Sequence, residues 1–135
     1  MNITPELRWL AATTLLTGGL WIPYVLDRMR EHGVWAAMSN PERDQQPEAQ
    51  WAYRLMSAHA NAVENLVVFA TLVLVTQAEG VSGTLTTVAA AVYFFARLTH
   101  AVVYTLGVPV ARTLAFMTGV GAQVTFGLVA LGVIG

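Results

Sequence analysis

Arg54, Ser57, Asn61, Glu64 and Asn65 crowd one short stretch of an otherwise apolar segment. At about 100° per helical residue they share a sector about 100° wide, so they present one polar stripe. A second set, Tyr93, Arg97, His100 and Tyr104, recurs at spacings of four, three and four, which stacks it on one helix face. Arg112 follows shortly after Pro109. Three arginines (Arg54, Arg97, Arg112) and two histidines (His59, His100) thus accompany one carboxylate, Glu64. Part of this could be structural: Glu64 can pair with Arg97, while Asn61 satisfies backbone or a neighbouring helix. His59 lies off the stripe and faces a different neighbour. The whole set exceeds what internal pairing needs, and the surplus positive charge asks for an anionic ligand carrying carboxylates or a thiolate.

The elements that must position these groups are membrane spans. The chain has 135 residues, 56% of them hydrophobic and only 11% charged, against roughly a quarter charged in soluble domains. So few charges cannot cover a globule, and lipid must cover much of its surface. A helix crossing the hydrocarbon core needs about 20 mostly apolar residues. Four stretches qualify, roughly 5–27, 51–77, 84–106 and 112–134, within one four-helix domain over 1–135. Ser39 to Pro47 is loop chemistry, Glu79-Gly80-Val81-Ser82-Gly83 a short turn, and Gly107-Val108-Pro109 a stop. The short later connections make neighbouring helices antiparallel. The predicted fold class is therefore an all-α integral membrane protein, a four-transmembrane-helix antiparallel bundle. The first apolar run has no basic segment before it and no convincing cleavage site after it, so it reads as a retained helix.

Arg28, Arg30, Arg43, Arg54 and Arg112 sit near the first and third loops, and only Arg8 at the other side. The positive-inside rule then predicts cytoplasmic first and third loops with both termini outside. Glu64 lies about 15 Å along the axis from Arg54. A carboxylate that deep needs a partner or a proton. The third helix descends towards the cytoplasm, so Arg97, His100 and Tyr104 approach the leaflet that holds Arg54 and the start of the fourth helix.

Several function classes fall away. A net charge of −1 argues against nucleic acid as partner. The absence of cysteine excludes disulfides, thiolate metal sites and a cysteine nucleophile. There is no phosphate loop, no metal-ligand pair at useful spacing and no serine triad. Gly18-Gly19, Gly119, Gly121 and Gly127 suit close helix packing, Pro23 predicts a kink in the first helix, and Trp9, Trp21, Trp35 and Trp51 read as interfacial aromatics.

At these residues the sequence resembles the MAPEG family, the membrane-associated proteins in eicosanoid and glutathione metabolism, as a bacterial-type member. The resemblance is carried by Arg54…Ala58-His59-Ala60-Asn61-Ala62-Val63-Glu64-Asn65-Leu66, by Tyr93-Phe94-Phe95-Ala96-Arg97-Leu98-Thr99-His100…Tyr104, and by Pro109-Val110-Ala111-Arg112-Thr113-Leu114-Ala115-Phe116. It covers essentially the whole chain. It implies a homotrimer in the bilayer, expected in a bacterial inner membrane, with glutathione held between neighbouring subunits near the cytoplasmic side. By resemblance Asn61 and Glu64 grip the peptide's polar and amino groups, while Arg54, Arg97 and Tyr104 hold carboxylates or order the site, with His100 beside them. Arg112 resembles the arginine that stabilises the thiolate, since a nearby guanidinium lowers a thiol's pKa. A lipophilic electrophile or hydroperoxide would enter from the membrane. Two positions depart from the family pattern: Ser57 where many members have Arg, and Val67 where several have Pro.

The reading implied is a glutathione-dependent membrane transferase or peroxidase of the microsomal glutathione transferase type. Two alternatives stand beside it: a non-catalytic relative that binds a small lipophile or anion at the same site, and a small proton-coupled exporter with Glu64 as proton site. The arginines around Glu64 argue against the exporter.

Overall fold

The computed structural model describes residues 3–135; Met1 and Asn2, the start of the segment read as lacking a basic leader, lie outside them. Among the described residues there are six helices and no strand. The helices are α1 (Pro5–Gly19), α2 (Trp21–His32), α3 (Val34–Met38), α4 (Gln50–Ala78), α5 (Thr84–Leu106) and α6 (Pro109–Ala130). α1 and α2 together form one span, and with α4, α5 and α6 they give four helices long and apolar enough to cross a membrane. The all-helical bundle expected from composition is the one observed.

Proline and glycine set the boundaries. Pro23 has no N–H for the carbonyl four residues earlier, that of Gly19, and α1 breaks there. Leu20 bridges the break, its N–H turning back to the Thr17 carbonyl at 3.3 Å. The helical path then continues to His32, five residues beyond the end at Asp27 read from hydropathy, because charged residues extend a helix past the hydrocarbon without breaking it. Gly33, at φ +83°, ends it. Pro109 does not merely stop α5; it opens α6 as its first residue, where a missing N–H costs nothing. α6 ends at Ala130 rather than near Ile134, because Gly132 turns at φ +65° and the N–H groups of Gly132 and Val133 return to Val129 and Leu128.

α5 packs against α1, α4 and α6, and α4 also touches α1, α2 and α6. The apolar core gathers Leu10, Phe69, Val73, Ala89, Ala90, Tyr93, Ala122 and Phe126. Phe69 stacks on Tyr93 with centroids 3.7 Å apart and meets Phe126 edge-on at 5.7 Å. The core leaves the other end of the bundle, where α4 begins, α5 ends and α6 begins, to polar side chains.

Sequence reading assigned no role to Glu6, yet its side chain is completely buried (0% exposed). Its carboxylate accepts hydrogen bonds from Ser82 Oγ (3.0 Å), Thr86 Oγ1 (2.5 Å), Thr87 Oγ1 (3.1 Å) and the Gly83 N–H (3.3 Å). An anion from α1 therefore caps the N-terminus of α5, where free N–H groups and the helix dipole both favour negative charge. Beside it, Thr4 donates to Gln77 at 2.6 Å, and Gln77 donates to the Val81 carbonyl at 3.2 Å. This lock ties the start of α5 to α1, and α1 to the end of α4, at one end of the bundle.

Candidate functional site

The polar stripe of α4 does not meet one neighbour; it divides between α5, α6, its own backbone and the outer surface. Asn61 turns to α5, where its Oδ1 accepts from Arg97 Nη2 at 2.7 Å. Asn65 turns to α6, its backbone carbonyl accepting from Gln123 Nε2 at 3.1 Å. Ser57 donates to the Tyr53 carbonyl of its own helix at 3.1 Å. Glu64 points out of the bundle and is exposed. The pairing of Glu64 with Arg97 expected from charge is therefore not formed: the two ion pairs present among the described residues are Arg30–Asp27 and His32–Glu31. Asn61 lies one turn before Glu64, on the side of α4 that faces Arg97. Off the stripe, His59 faces α2, its Nδ1 hydrogen-bonded to the Tyr24 hydroxyl at 2.8 Å.

Arg97 is buried beside Gly119 of α6, where an added Cβ would make ordinary contact, 3.7 Å from the arginine Cδ and from the Tyr93 ring. Its Nε finds no partner. His100, one turn nearer the end of α5, is buried with Nδ1 unpaired. Its ring meets Tyr104 edge-on at 5.4 Å, and Phe116 lies 6.2 Å away. Arg112 lays its guanidinium over the Tyr104 ring, 4.6 Å from the centroid, a cation–π contact that orients it without neutralising it.

Two cavities open along this row. One, about 170 Å³, is lined by Arg54, Tyr104, Gly107, Val108, Pro109 and Arg112. The other, about 260 Å³, is lined by Asn61, His100, Tyr104, Arg112, Thr113 and Phe116. Tyr104 and Arg112 belong to both, so the two form one polar groove. Of the seven residues singled out from sequence, five line it: Arg54, Asn61, His100, Tyr104 and Arg112. Arg97 stands behind Asn61, and Glu64 stands apart on the outer surface. Thr113 and Phe116 lie within the Pro109–Phe116 motif and Gly107 within the helix stop, but sequence reading gave none of them a place in the site.

No carboxylate within the described residues pairs with Arg54, Arg97 or Arg112. Arg112 sits in the first turn of α6, where the helix dipole is already positive, so the field at the groove favours anions twice over. Arg54 lies against Gly107, which ends α5 at φ +77°. A Cβ there would fall 2.5 Å from Arg54 Nη1. Gly107→Ala is therefore expected to cost about 1 kcal/mol, mainly from the left-handed backbone, since a flexible guanidinium can swing aside. That swing takes Arg54 out of the groove. Thermal unfolding should show the small loss, and ligand titration a larger loss of anion affinity.

The MAPEG family model matches residues 8–132 of the chain. The chain belongs to the MAPEG family. No curated protein and no solved structure matches it. Family membership and the four apolar spans together make it an integral membrane protein, and the resemblance read from the α4, α5 and α6 motifs is the family itself. The MAPEG family includes glutathione transferases and other members.

Proposed function

We propose that this protein is a glutathione-dependent membrane transferase or peroxidase acting on a lipophilic electrophile or hydroperoxide. The observation that carries the reading is the groove itself: Arg54 and Arg112, without a carboxylate partner among the described residues, flank His100 and Tyr104 at one end of a membrane bundle. The unpaired Nδ1 of His100 and the free cations fit a peptide that brings carboxylates, amides and a thiol. Arg54 and Tyr104 would hold carboxylate and amide groups, with Asn61 fixed towards them by Arg97. Bound glutathione supplies a sulfur nucleophile. Arg112 favours the deprotonated sulfur, because a guanidinium held over the Tyr104 ring without a carboxylate partner among the described residues is a fixed positive charge.

Glu64 supports a homotrimer with the ligand between subunits. An exposed carboxylate near the middle of a span cannot face lipid without a cost of a few kcal/mol. On the outer face of α4 it is available to a neighbouring copy or to the amino group of a ligand held there. The cations Arg54, Arg97 and Arg112 disfavour the exporter reading, which needs a carboxylate on its path with few competing positive charges. The topology that accompanies this proposal has both termini outside and the groove near the cytoplasmic face of a bacterial inner membrane.

The second reading, a relative that binds without catalysing, draws on Ser57. Its hydroxyl is committed to Tyr53, so nothing there replaces the charge many relatives carry. The test is product formation by detergent-purified protein, sized by native mass spectrometry, given glutathione with an aryl halide and, separately, a lipid hydroperoxide. The enzyme reading expects three chains per particle and conjugate or alcohol above the spontaneous rate. Binding of glutathione without either product would leave the scaffold.

A further inference from the structure

α3 is an apolar helix with almost nothing of its own chain to cover it. Val34, Trp35 and Met38 are 56%, 85% and 68% exposed. At about 100° per residue they fall in one sector about 100° wide. Ala36 and Ala37, on the opposite side, are half-buried. Within the chain the main neighbour of α3 is α2. The loop changes character directly afterwards: residues 39–46 are polar or charged apart from Pro41, and all are exposed.

The height of α3 follows from the span that leads into it. Pro5–His32 contains 28 residues, about 42 Å of helix at about 1.5 Å per residue. The hydrocarbon core is about 30 Å thick and the whole bilayer with headgroups about 40–45 Å. α2 therefore ends in the headgroup layer, and Gly33 turns the chain at that level before α3 starts. An exposed apolar face leaving a spanning helix at this height meets the boundary between headgroups and acyl chains before anything else.

We propose that α3 is an interfacial foot, lying in the headgroup layer with Val34, Trp35 and Met38 inserted among the lipids of the membrane the protein spans. Such a helix buries its apolar face roughly 5–10 Å into the boundary, and tryptophan is the side chain best suited to that depth. Beyond α3 the polar loop returns to α2, where Arg28 Nη2 donates to Gln45 at 2.6 Å at the exposed surface. The inference rests on membrane insertion alone and stands or falls apart from the glutathione reading.

The chain has no cysteine, so single-cysteine variants can be spin-labelled without background. Val34→Cys, Trp35→Cys, Met38→Cys and, as an aqueous reference, Asp44→Cys would be made in the full chain. Each replaces an exposed side chain, and an unchanged melting temperature verifies folding. The labelled proteins would be placed in vesicles of phosphatidylethanolamine and phosphatidylglycerol, with nitroxide-labelled lipids as the depth scale. Collisions with oxygen and with a water-soluble nickel chelate are then compared. The foot predicts that positions 34, 35 and 38 lose nickel collisions relative to position 44 while keeping oxygen collisions. Nickel collisions equal to those at position 44 would put α3 in water. Loss of both would put it against a second copy of the chain. Either result overturns the proposal.

Discussion

An Arg112→Ala protein is expected to fold normally and to turn over glutathione about a hundredfold more slowly, the usual loss when one preorganised charge is removed from a developing anion. Folding is spared because Arg112 contributes little to it. Its guanidinium forms no ion pair among the described residues and contacts the Tyr104 ring from a half-exposed position. It also sits in the first helical turn, where a cation is opposed by the dipole, so its removal can even stabilise α6 slightly. Loss of the charge beside the sulfur lowers kcat, and loss of the same charge as an anion contact raises KM for glutathione as well. Arg112→Lys keeps the charge but loses the planar guanidinium that lies flat on Tyr104, and should recover only part of the rate. Tyr104→Phe retains the ring beneath Arg112 and should be milder than Tyr104→Leu, which removes it. Steady-state kinetics with saturating electrophile check all four.

Glu6→Ala is expected to lower stability by about 3 kcal/mol or more, because it strands several donors that now share one charged acceptor. Three hydroxyls and one backbone N–H converge on a carboxylate that is completely buried. The same change removes the charged cap from α5, which alone is worth about 1 kcal/mol. Glu6→Gln keeps an acceptor but not the charge, so it should cost roughly half as much. Both show as lower melting temperatures in detergent. Activity per folded molecule should hold, since the lock lies at the end of the bundle opposite the groove. A loss of activity at full folding would mean that the lock does more than hold α5 in place.

The spans were legible because a lipid-covered helix leaves an unbroken apolar run, and Pro23 announced the break at Gly19. The partition of the polar stripe was not legible. Spacing placed Asn61, Glu64 and Asn65 in one sector, but a sector has edges. Asn61 reaches α5, Asn65 reaches α6, and Glu64 between them faces outward. Charge made Arg97 the natural partner of Glu64, whereas helix packing gave Arg97 the neutral Asn61 instead. Glu6 drew no role from the sequence, because its partners lie 76 to 81 residues later. Gly107 was readable as a helix stop, but not as the surface on which Arg54 rests. Contacts between distant segments carry what was missed, and no local pattern encodes them.

The central claim is that the groove binds glutathione. The melting temperature of the purified protein, with and without millimolar glutathione, in wild type and Arg112→Ala, tests it most directly. A ligand that binds only the folded state raises stability by mass action, by about 2.7 kcal/mol at a hundred times its Kd. The account predicts a rise in wild type that grows with concentration, and a much smaller one in Arg112→Ala. An unchanged wild-type melting temperature at every concentration would contradict it, and would leave a MAPEG bundle that does not use glutathione.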